Sequence, residues 1–236
     1  MTNEYTRLEM LVGSDAIKKL QDKKVVVFGV GGVGGNAIEA LARSNIGQID
    51  IVDHDTVSLT NINRQIVALH STIGKKKVDV MKDRILDINP NIIVNTYPIF
   101  YSQETANEIS LENYDYIIDA IDSVTAKLFL IEQATHLHIP IISAMGCGNR
   151  LDPSQLIVTD IFQTSGDPLA RIMRKELRDR NIPHLLVVTS TEKPAKPLFQ
   201  PDEAIEKRVI PSSSAFVPPA AGLLLASRVI QDLLLA

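Results

Sequence analysis

A glycine-rich turn is the first feature of the sequence with a clear chemical use. Gly29, Gly31 and Gly34 fit the spacing G-x-G-x-x-G at the end of one apolar run, and Asp53 ends the next run. Glycines at this spacing let the backbone approach a pyrophosphate at a helix N-terminus, and the acidic residue binds a ribose. The pattern is typical of a site for a dinucleotide such as NAD. A tight strand–helix turn without any ligand produces the same spacing.

Polar and cationic side chains follow that aspartate in the segment DHDTVSLTNINRQIVALHSTIGKKKVDVM (53–81). Asn61, Arg64 and Lys77 come shortly after the second apolar run, where cations could face phosphate groups. Asparagine is also common in turns, and the run KKK that contains Lys77 also fits a solvated helix start. An enzyme that transfers hydride needs a catalytic acid or base and a substrate domain, and the sequence shows no such constellation.

The elements that must position these residues alternate regularly along the first 150 residues. The predicted strands are 24–30, 48–52, 92–98, 114–122 and 139–145, and the predicted helices are 35–46, 76–88, 102–111 (with Ser102 as N-cap) and 124–137. This alternation predicts an α/β fold with a Rossmann-like, doubly wound and mostly parallel sheet. Ligands of such folds bind beyond the carboxyl ends of the strands, where the polar segments lie.

Beyond residue 150 the spacing of the elements changes. Further strands are predicted over 155–163 and 184–190, a helix begins where Pro168 follows Asp167, and a final helix covers about 219–235. Residues 191–217 are rich in proline and serine, and we expect a mobile loop there.

No linker divides the sequence, so we predict a single domain over residues 1–236. In this interpretation residues 1–150 form the nucleotide-binding core. Residues 151–236 then form an extension on the substrate side, with further strands in the sheet and a C-terminal helix.

Composition and charge narrow the class of protein. The chain has 236 residues, of which 45% are hydrophobic and 22% charged, as in ordinary globular proteins. The start MTNEYTRLEM lacks the features of a signal peptide, and Arg228 and Asp232 interrupt the most apolar late stretch, so we expect a cytoplasmic protein without a membrane partner. The net charge of −4 gives no overall attraction to nucleic acid, so RNA contacts would depend on local basic patches.

Taken together, four motifs in order resemble a known superfamily. These are G-x-G-G-x-G at 29–34, D-x-D-x-V-x-x-x-N-x-x-R-Q at 53–65, G-x-x-K at 74–77 and D-A-x-D at 119–122. Their order and spacing are similar to those of the adenylating enzymes of the ubiquitin-activating (ThiF/MoeB/HesA) superfamily. The segments DAIDSVTAK, DPLARIMRKELR and VVTSTEKP also resemble the bacterial tRNA threonylcarbamoyladenosine dehydratase branch, which extends the resemblance over nearly the whole chain.

The resemblance implies an ATP site rather than an NAD site. The residues that it assigns to the nucleotide are Gly29, Gly31, Gly32 and Gly34 along the adenylate, Asp53 at the ribose hydroxyls, Asp55 as the second acid of the same motif, Asn61 and Arg64 at the phosphates, and Lys77 against the charge of the triphosphate.

Two further residues receive roles from the same resemblance. Asp122 is implied to bind Mg²⁺ at the end of the fourth strand, although an N-cap for the helix that starts near 124 is an equally good interpretation. Arg7 is implied to reach into the ATP site of a partner subunit, which predicts a homodimer. In the same motif Asp119 is expected to be a structural residue near the strand end.

Cys147 lies between two glycines near a strand end, where a thiol nucleophile is conceivable. Relatives carry Gly or Ala at this position, so we predict a buried small residue and no thioester chemistry. A single cysteine also excludes the paired CxxC zinc site of several MoeB-like relatives. The five histidines show no metal-ligand spacing.

A one-sided basic face is predicted on the helix that follows Asp167. Arg171, Arg174, Lys175 and Arg178 recur at spacings that place them on one side of a helix. Such faces are usually just solvated, but in an acidic protein this one equally fits contact with a tRNA backbone.

The reaction implied by the resemblance is the ATP-dependent cyclisation of threonylcarbamoyladenosine at position 37 of tRNA, through an acyl-adenylate. ATP and Mg²⁺ are the implied cofactors, and tRNA is the implied partner. The alternative within the superfamily is adenylation of the C-terminus of a ubiquitin-like sulfur carrier, and a non-catalytic NAD-binding protein is the alternative outside it. The sequence leaves open whether a sulfur-transfer partner protein docks.

Overall fold

Seven strands form one sheet in the described part of the chain, which is residues 2–199 and 210–235 of a computed structural model. The strands are β1 (Lys24–Phe28), β2 (Gln48–Val52), β3 (Ile93–Tyr97), β4 (Tyr116–Asp119), β5 (Ile141–Ala144), β6 (Leu156–Asp160) and β7 (Leu186–Ser190). Their order is β3-β2-β1-β4-β5-β7-β6, and only the β6–β7 pair is antiparallel. The predicted Rossmann-like sheet with further strands in its C-terminal third is confirmed.

The strand order reverses between β1 and β4. From β1 the chain proceeds outward through β2 and β3, and β4 then pairs with the other edge of β1. Sheets of this kind bind ligands beyond the carboxyl ends of the strands at such a reversal. The residues that follow Phe28 and Asp119 are therefore in the position of a ligand site.

Helices cover both faces of the sheet. They are α1 (Thr6–Val12), α2 (Ser14–Gln21), α3 (Gly34–Ala42), α4 (Lys77–Ile88), α5 (Val124–His136), α6 (Pro168–Asp179) and α7 (Val217–Leu235). Val25 and Val27 of β1 pack in one apolar cluster with α3, α4 and α7, whereas Val26 and Phe28 pack in a second cluster with α5. Burial on both faces explains why these strands are nearly continuous apolar runs in the sequence.

The final helix packs very closely on α3. A Cβ atom on Gly222 would lie 2.2 Å from the carbonyl oxygen of Val33, so only glycine allows this approach. The helix begins at Val217, two residues before the predicted start, because prolines in a first turn lack only N–H groups that no intrahelical bond requires. None of the described helices is both long and apolar enough to cross a bilayer.

The prediction of a short helix over residues 102–111 is wrong. In its place are two 3₁₀ turns, Ala106–Glu108 and Leu111–Asn113. Ile109 and Leu111 are both buried in the cluster beneath β1, and residues two apart cannot share one face of a helix. Ser102 is not an N-cap, since its hydroxyl donates to Glu104.

Other boundaries differ in ways that matter for the site. The strand predicted over 114–122 ends at Asp119, and the one predicted over 24–30 ends at Phe28, so the residues beyond them are loops. Helices α1 and α2 were not predicted. Within the predicted loop 191–217, residues 191–199 and 210–216 have no helix or strand, and residues 200–209 lie outside the described residues.

Candidate active site

A cavity of about 710 Å³ lies beyond the carboxyl ends of β1, β2, β4 and β5, where the strand order reverses. Nine of the eleven predicted site residues line it: Gly29, Gly31, Gly32, Asp53, Asp55, Asn61, Arg64, Lys77 and Asp122. The two that do not are Gly34 and Arg7. Residues from four separate segments of the sequence therefore meet at one site, as the fold class requires.

The glycine turn brings backbone close to this cavity. Gly29 has a φ of +94°, and a Cβ atom on it would lie 2.5 Å from the carbonyl oxygen of Ala120. A Cβ atom on Gly34 would lie 1.8 Å from the carbonyl oxygen of Gly29, so α3 begins directly against the turn. Gly34 thus packs directly against the turn without lining the cavity. Gly31 and Gly32 line the cavity at the N-terminus of α3, where an anion can bind.

Asp53 is fixed against the same turn. Its Oδ2 atom accepts a hydrogen bond of 2.6 Å from the Val30 backbone N–H, and its Oδ1 atom accepts one of 2.8 Å from the backbone N–H of Asp55. These bonds hold the half-buried carboxylate at the edge of the cavity, where it can accept hydrogen bonds from a ligand's hydroxyl groups.

Lys77 is a buried cation at the start of α4. The residue is only 5% exposed, and its Nζ atom lies 2.7 Å from Oδ2 of Asp55, whose side chain is half exposed. His54 Nε2 lies 3.3 Å from the other oxygen of Asp55. Lys75 and Lys76 are exposed to solvent but Lys77 is buried, so the interpretation of Lys77 as part of a solvated helix start is wrong.

Arg64 is a half-buried cation without a carboxylate partner among the described residues. Its Nη1 atom donates to the carbonyl oxygen of Thr60 and to Oδ1 of Asn63, each at 3.0 Å. Burial lowers the pKa of the Arg64 guanidinium, which nevertheless stays protonated because arginine titrates so far above neutrality. A cation held in a cavity by neutral acceptors is suited to bind an anionic ligand.

Asn61 combines the turn role with a place in the cavity. It is buried, and its Oδ1 atom accepts a hydrogen bond of 3.1 Å from the Ser58 backbone N–H, which closes the 3₁₀ turn Leu59–Asn61. The side-chain NH₂ group donates no hydrogen bond within the described part of the chain, so it can donate to a ligand.

Asp122 is exposed in the loop after β4 and lines the cavity. Its carboxylate makes no hydrogen bond or ion pair with residues 2–199 or 210–235. The N-cap of α5 is Ser123, whose hydroxyl accepts from the Ala126 backbone N–H, so the interpretation of Asp122 as a cap is wrong. Since Mg²⁺ is usually held by one or two carboxylates together with substrate phosphates, a free carboxylate at this point fits such an ion.

Asp119 has the structural role expected of it. The residue is fully buried, and its Oδ2 atom lies 2.9 Å from Nζ of Lys127 and 2.5 Å from the hydroxyl of Ser143. These three side chains join β4, α5 and β5.

Two buried charges in the wall of the cavity were not predicted as part of the site. Arg150 and Asp167 form an ion pair of 3.4 Å, and Asp167 also accepts from the Gly146 backbone N–H at 3.1 Å. The other oxygen of Asp167 caps α6 by accepting from Ala170, as its sequence position predicted. Both charges line the cavity, but only the cap had a local signal, because Asp167 lies directly before a proline.

Gln65 was also missed as a site residue, although it stands in the quoted motif after Arg64. It lines the cavity, is 7% exposed, and its Oε1 atom has no hydrogen-bond partner among the described residues. Separately, Asp53, His54 and Asp55 offer possible metal-ligand atoms within 4.8 Å of one another.

Comparison with known proteins assigns the family. The ThiF family matches residues 5–230, which is nearly the whole chain. This chain belongs to the ThiF family. The tRNA threonylcarbamoyladenosine dehydratase of Bacillus subtilis is 41% identical over 99% of this chain and 96% of that protein. The superfamily predicted from the motifs is confirmed.

A solved structure and a more distant relative extend the comparison. The Escherichia coli tRNA N6-threonylcarbamoyladenosine dehydratase in complex with ATP superposes with a TM-score of 0.89 at 33% identity, covering 98% of this chain and 94% of that one. The adenylyltransferase and sulfurtransferase UBA4 of Saccharomyces cerevisiae is 38% identical, but over 55% of this chain and 29% of that protein. The match is therefore nearly full-length with the Bacillus subtilis protein and with the Escherichia coli structure, and it is partial with UBA4.

Cys147 lines the cavity of this ThiF-family protein but is buried there. Burial raises the pKa of its thiol to about 12, and its Sγ atom lies 3.5 Å from the carbonyl oxygen of Met145 as a weak donor. A thiol in this state is a poor nucleophile, because the thiolate is the reactive form.

We expect Cys147→Ala to keep most of the wild-type rate of AMP release. We also expect the native thiol to react with iodoacetamide at about pH 8 far more slowly than in denatured protein, since a thiol whose pKa is about 12 is almost entirely protonated there. Loss of activity with folding and ATP binding intact would instead require a covalent thioester step.

Arg7 lies on α1, is exposed, and does not line the cavity of its own chain. Its role in a partner's site therefore stays a prediction, and it requires a second copy of the chain.

Proposed function

We propose that this protein is an ATP-dependent enzyme that dehydrates threonylcarbamoyladenosine at position 37 of tRNA. One observation carries the proposal: the buried Lys77, the half-buried Arg64 and the glycine turn all line one cavity. The full-length similarity to dehydratases of the ThiF family supports the choice of substrate.

ATP fits the cavity by the chemistry of its walls. The glycine turn and the N-terminus of α3 provide backbone N–H groups for an anion, and Asp53 provides acceptors for ribose hydroxyls. Arg64, Lys77 and the side-chain amide of Asn61 line the same cavity and would bind the phosphates. Asp122 would hold Mg²⁺, which, when bound, neutralises charge on the phosphate oxygens.

The reaction that we propose has two steps. The threonyl carboxylate of the nucleoside attacks the α-phosphate of ATP, forming an acyl-adenylate and releasing pyrophosphate. The neighbouring carbamoyl group then attacks the activated carbonyl and loses a proton to solvent, which closes a ring and releases AMP with the former carboxylate oxygen. The substrate supplies both nucleophiles, so the protein contributes positioning and charge neutralisation through Arg64 and Lys77.

The same proposal includes the assembly and location of the enzyme. A homodimer in the cytoplasm would let Arg7 of one copy complete the phosphate site of the other. The proposed reaction does not require a sulfur-transfer partner protein.

The alternative is adenylation of the C-terminus of a ubiquitin-like sulfur carrier, which the partial similarity to UBA4 favours. Such enzymes commonly stiffen the carrier-binding surface with a zinc site of paired cysteines, and this chain has one cysteine. The buried Cys147 also gives no accessible thiol for a thioester with a carrier.

Incubation of the protein with ATP, Mg²⁺ and tRNA from cells that lack the activity tests the proposal. Mass spectrometry of the digested nucleosides should show loss of one water from threonylcarbamoyladenosine, together with equal amounts of AMP and pyrophosphate. AMP formation that depends on a ubiquitin-like carrier, with the nucleoside unchanged, would favour the alternative. Tight binding of NAD without binding of ATP would contradict both.

A further inference from the structure

An open groove runs along α6 next to the active-site cavity. It has a volume of about 920 Å³ and is lined by nine residues of the segment 166–178. Asp167 and Pro168 line both the groove and the cavity, so the two spaces are adjacent through shared wall residues.

The packing of α6 turns its basic residues toward the groove. Ala170, Met173 and Leu177 are fully buried in an apolar cluster with residues of α5 and β7. This face fixes the rotation of the helix about its axis. Four cations on the other sides of the helix line the groove: Arg171, Arg174, Lys175 and Arg178.

Within the described residues these four cations form no ion pair with a carboxylate, and half of the arginines there do form one. Ten arginines lie in the described residues, and five form ion pairs with carboxylates there: Arg43, Arg84, Arg150, Arg180 and Arg228. The five that do not are Arg7, Arg64, Arg171, Arg174 and Arg178. Arg64 lines the active-site cavity, and three of the others lie on α6.

Local contacts hold two of these side chains in place. Arg174 donates to the carbonyl oxygen of Thr164 at 3.0 Å, and the guanidinium of Arg178 lies 5.3 Å from the ring centre of Phe162. The one acid that lines the groove beside Asp167 is Glu176, which is neutralised by Arg180 at 2.7 Å. The groove is therefore a net positive surface in a chain whose net charge is −4.

We propose that this groove binds the phosphate backbone of the tRNA next to the nucleotide that enters the cavity. The proposal rests on the proposed function. Arg171 and Arg178 are about 10 Å apart along the helix axis, which is enough to face several successive phosphates of one strand. Because the groove shares Asp167 and Pro168 with the cavity, a strand held there has its nucleotides within reach of the ATP site.

Charge reversal on α6 tests this groove. Arg171→Glu and Lys175→Glu each change exposed side chains, and Lys18→Glu is a matched control because Lys18 is exposed on α2, away from both spaces. Binding of a fluorescent unmodified tRNA transcript should weaken about tenfold in each α6 variant. The slope of log affinity against log salt should fall by about 1 for each lost phosphate contact. Affinity for ATP should stay unchanged in all three variants.

Wild-type affinity and salt slope in both α6 variants would overturn the proposal and leave the basic face to another anionic partner or to solvent. Thermal melting of each variant shows that it is folded. The binding experiment is independent of catalysis: if the wild-type enzyme leaves the nucleoside unchanged, the proposed function fails, while the transcript still reports on the groove.

Discussion

Asp122→Asn is expected to lower the rate of AMP release about 10²-fold or more, since an intact metal site supplies several kcal/mol of charge stabilisation. The amide keeps the size of the side chain and loses the negative charge. Because Asp122 makes no hydrogen bond or ion pair with the described residues, the substitution removes no visible structural contact. The loss should therefore appear in turnover rather than in the unfolding temperature.

Asp87→Asn is the matched control, because Asp87 is exposed on α4 and does not line the cavity. Activity measured against Mg²⁺ concentration should show that the Asp122 variant needs more of the ion and the control does not. Full activity of Asp122→Asn at ordinary Mg²⁺ concentration would show that Asp122 does not hold the metal. The neighbouring carboxylates of Asp53 and Asp55 would then be the next candidates.

Arg7→Ala and Lys77→Ala are each expected to be nearly inactive, and a mixture of the two should recover activity. In a symmetric dimer each site combines Lys77 of one chain with Arg7 of the other. A mixed dimer then has one site that lacks both residues and one that keeps both. Random pairing of equal amounts should restore up to about a quarter of the wild-type rate, because half the dimers are mixed and each has one intact site.

The measurement is AMP release against mixing ratio, with subunit exchange confirmed separately, for example by mass-tagged chains. The exposed position of Arg7 on α1, outside its own cavity, makes the experiment informative. If Arg7 acted within its own chain, every site would keep one defect whatever the pairing. A rate that stays flat at the single-mutant level despite exchange would therefore exclude the cross-subunit role.

Much of the site could be predicted from local sequence, because its residues come directly after the ends of the strands. The glycine turn after β1 and the acid after β2 lie where period and spacing place them. Asp122 was ambiguous for a local reason: two residues with capping side chains stand together before α5, and sequence spacing alone does not choose between Asp122 and Ser123.

The features that sequence analysis missed depend on contacts between distant segments. The Arg150–Asp167 pair joins residues 17 positions apart, and neither charge has a local pattern that predicts burial. Helices α1 and α2 were missed because they bury little of their surface: none of α1 and only Leu20 of α2 is buried. The 3₁₀ turns around Ile109 follow from packing beneath β1 rather than from their own spacing.

The close packing of α7 on α3 has a consequence for synthesis on the ribosome. Gly222 lies against the carbonyl of Val33, and Pro218 lines the cavity beside Gly32. A nascent chain that has been translated only as far as β7 contains all seven strands of the described sheet, but it lacks this wall and leaves the face of α3 that packs on α7 uncovered. The cavity is therefore complete only after residues 217–235 have left the exit tunnel. We accordingly expect the protein to become able to bind ATP only late in its synthesis. Fusions or truncations that disturb α7 should accordingly affect nucleotide binding first.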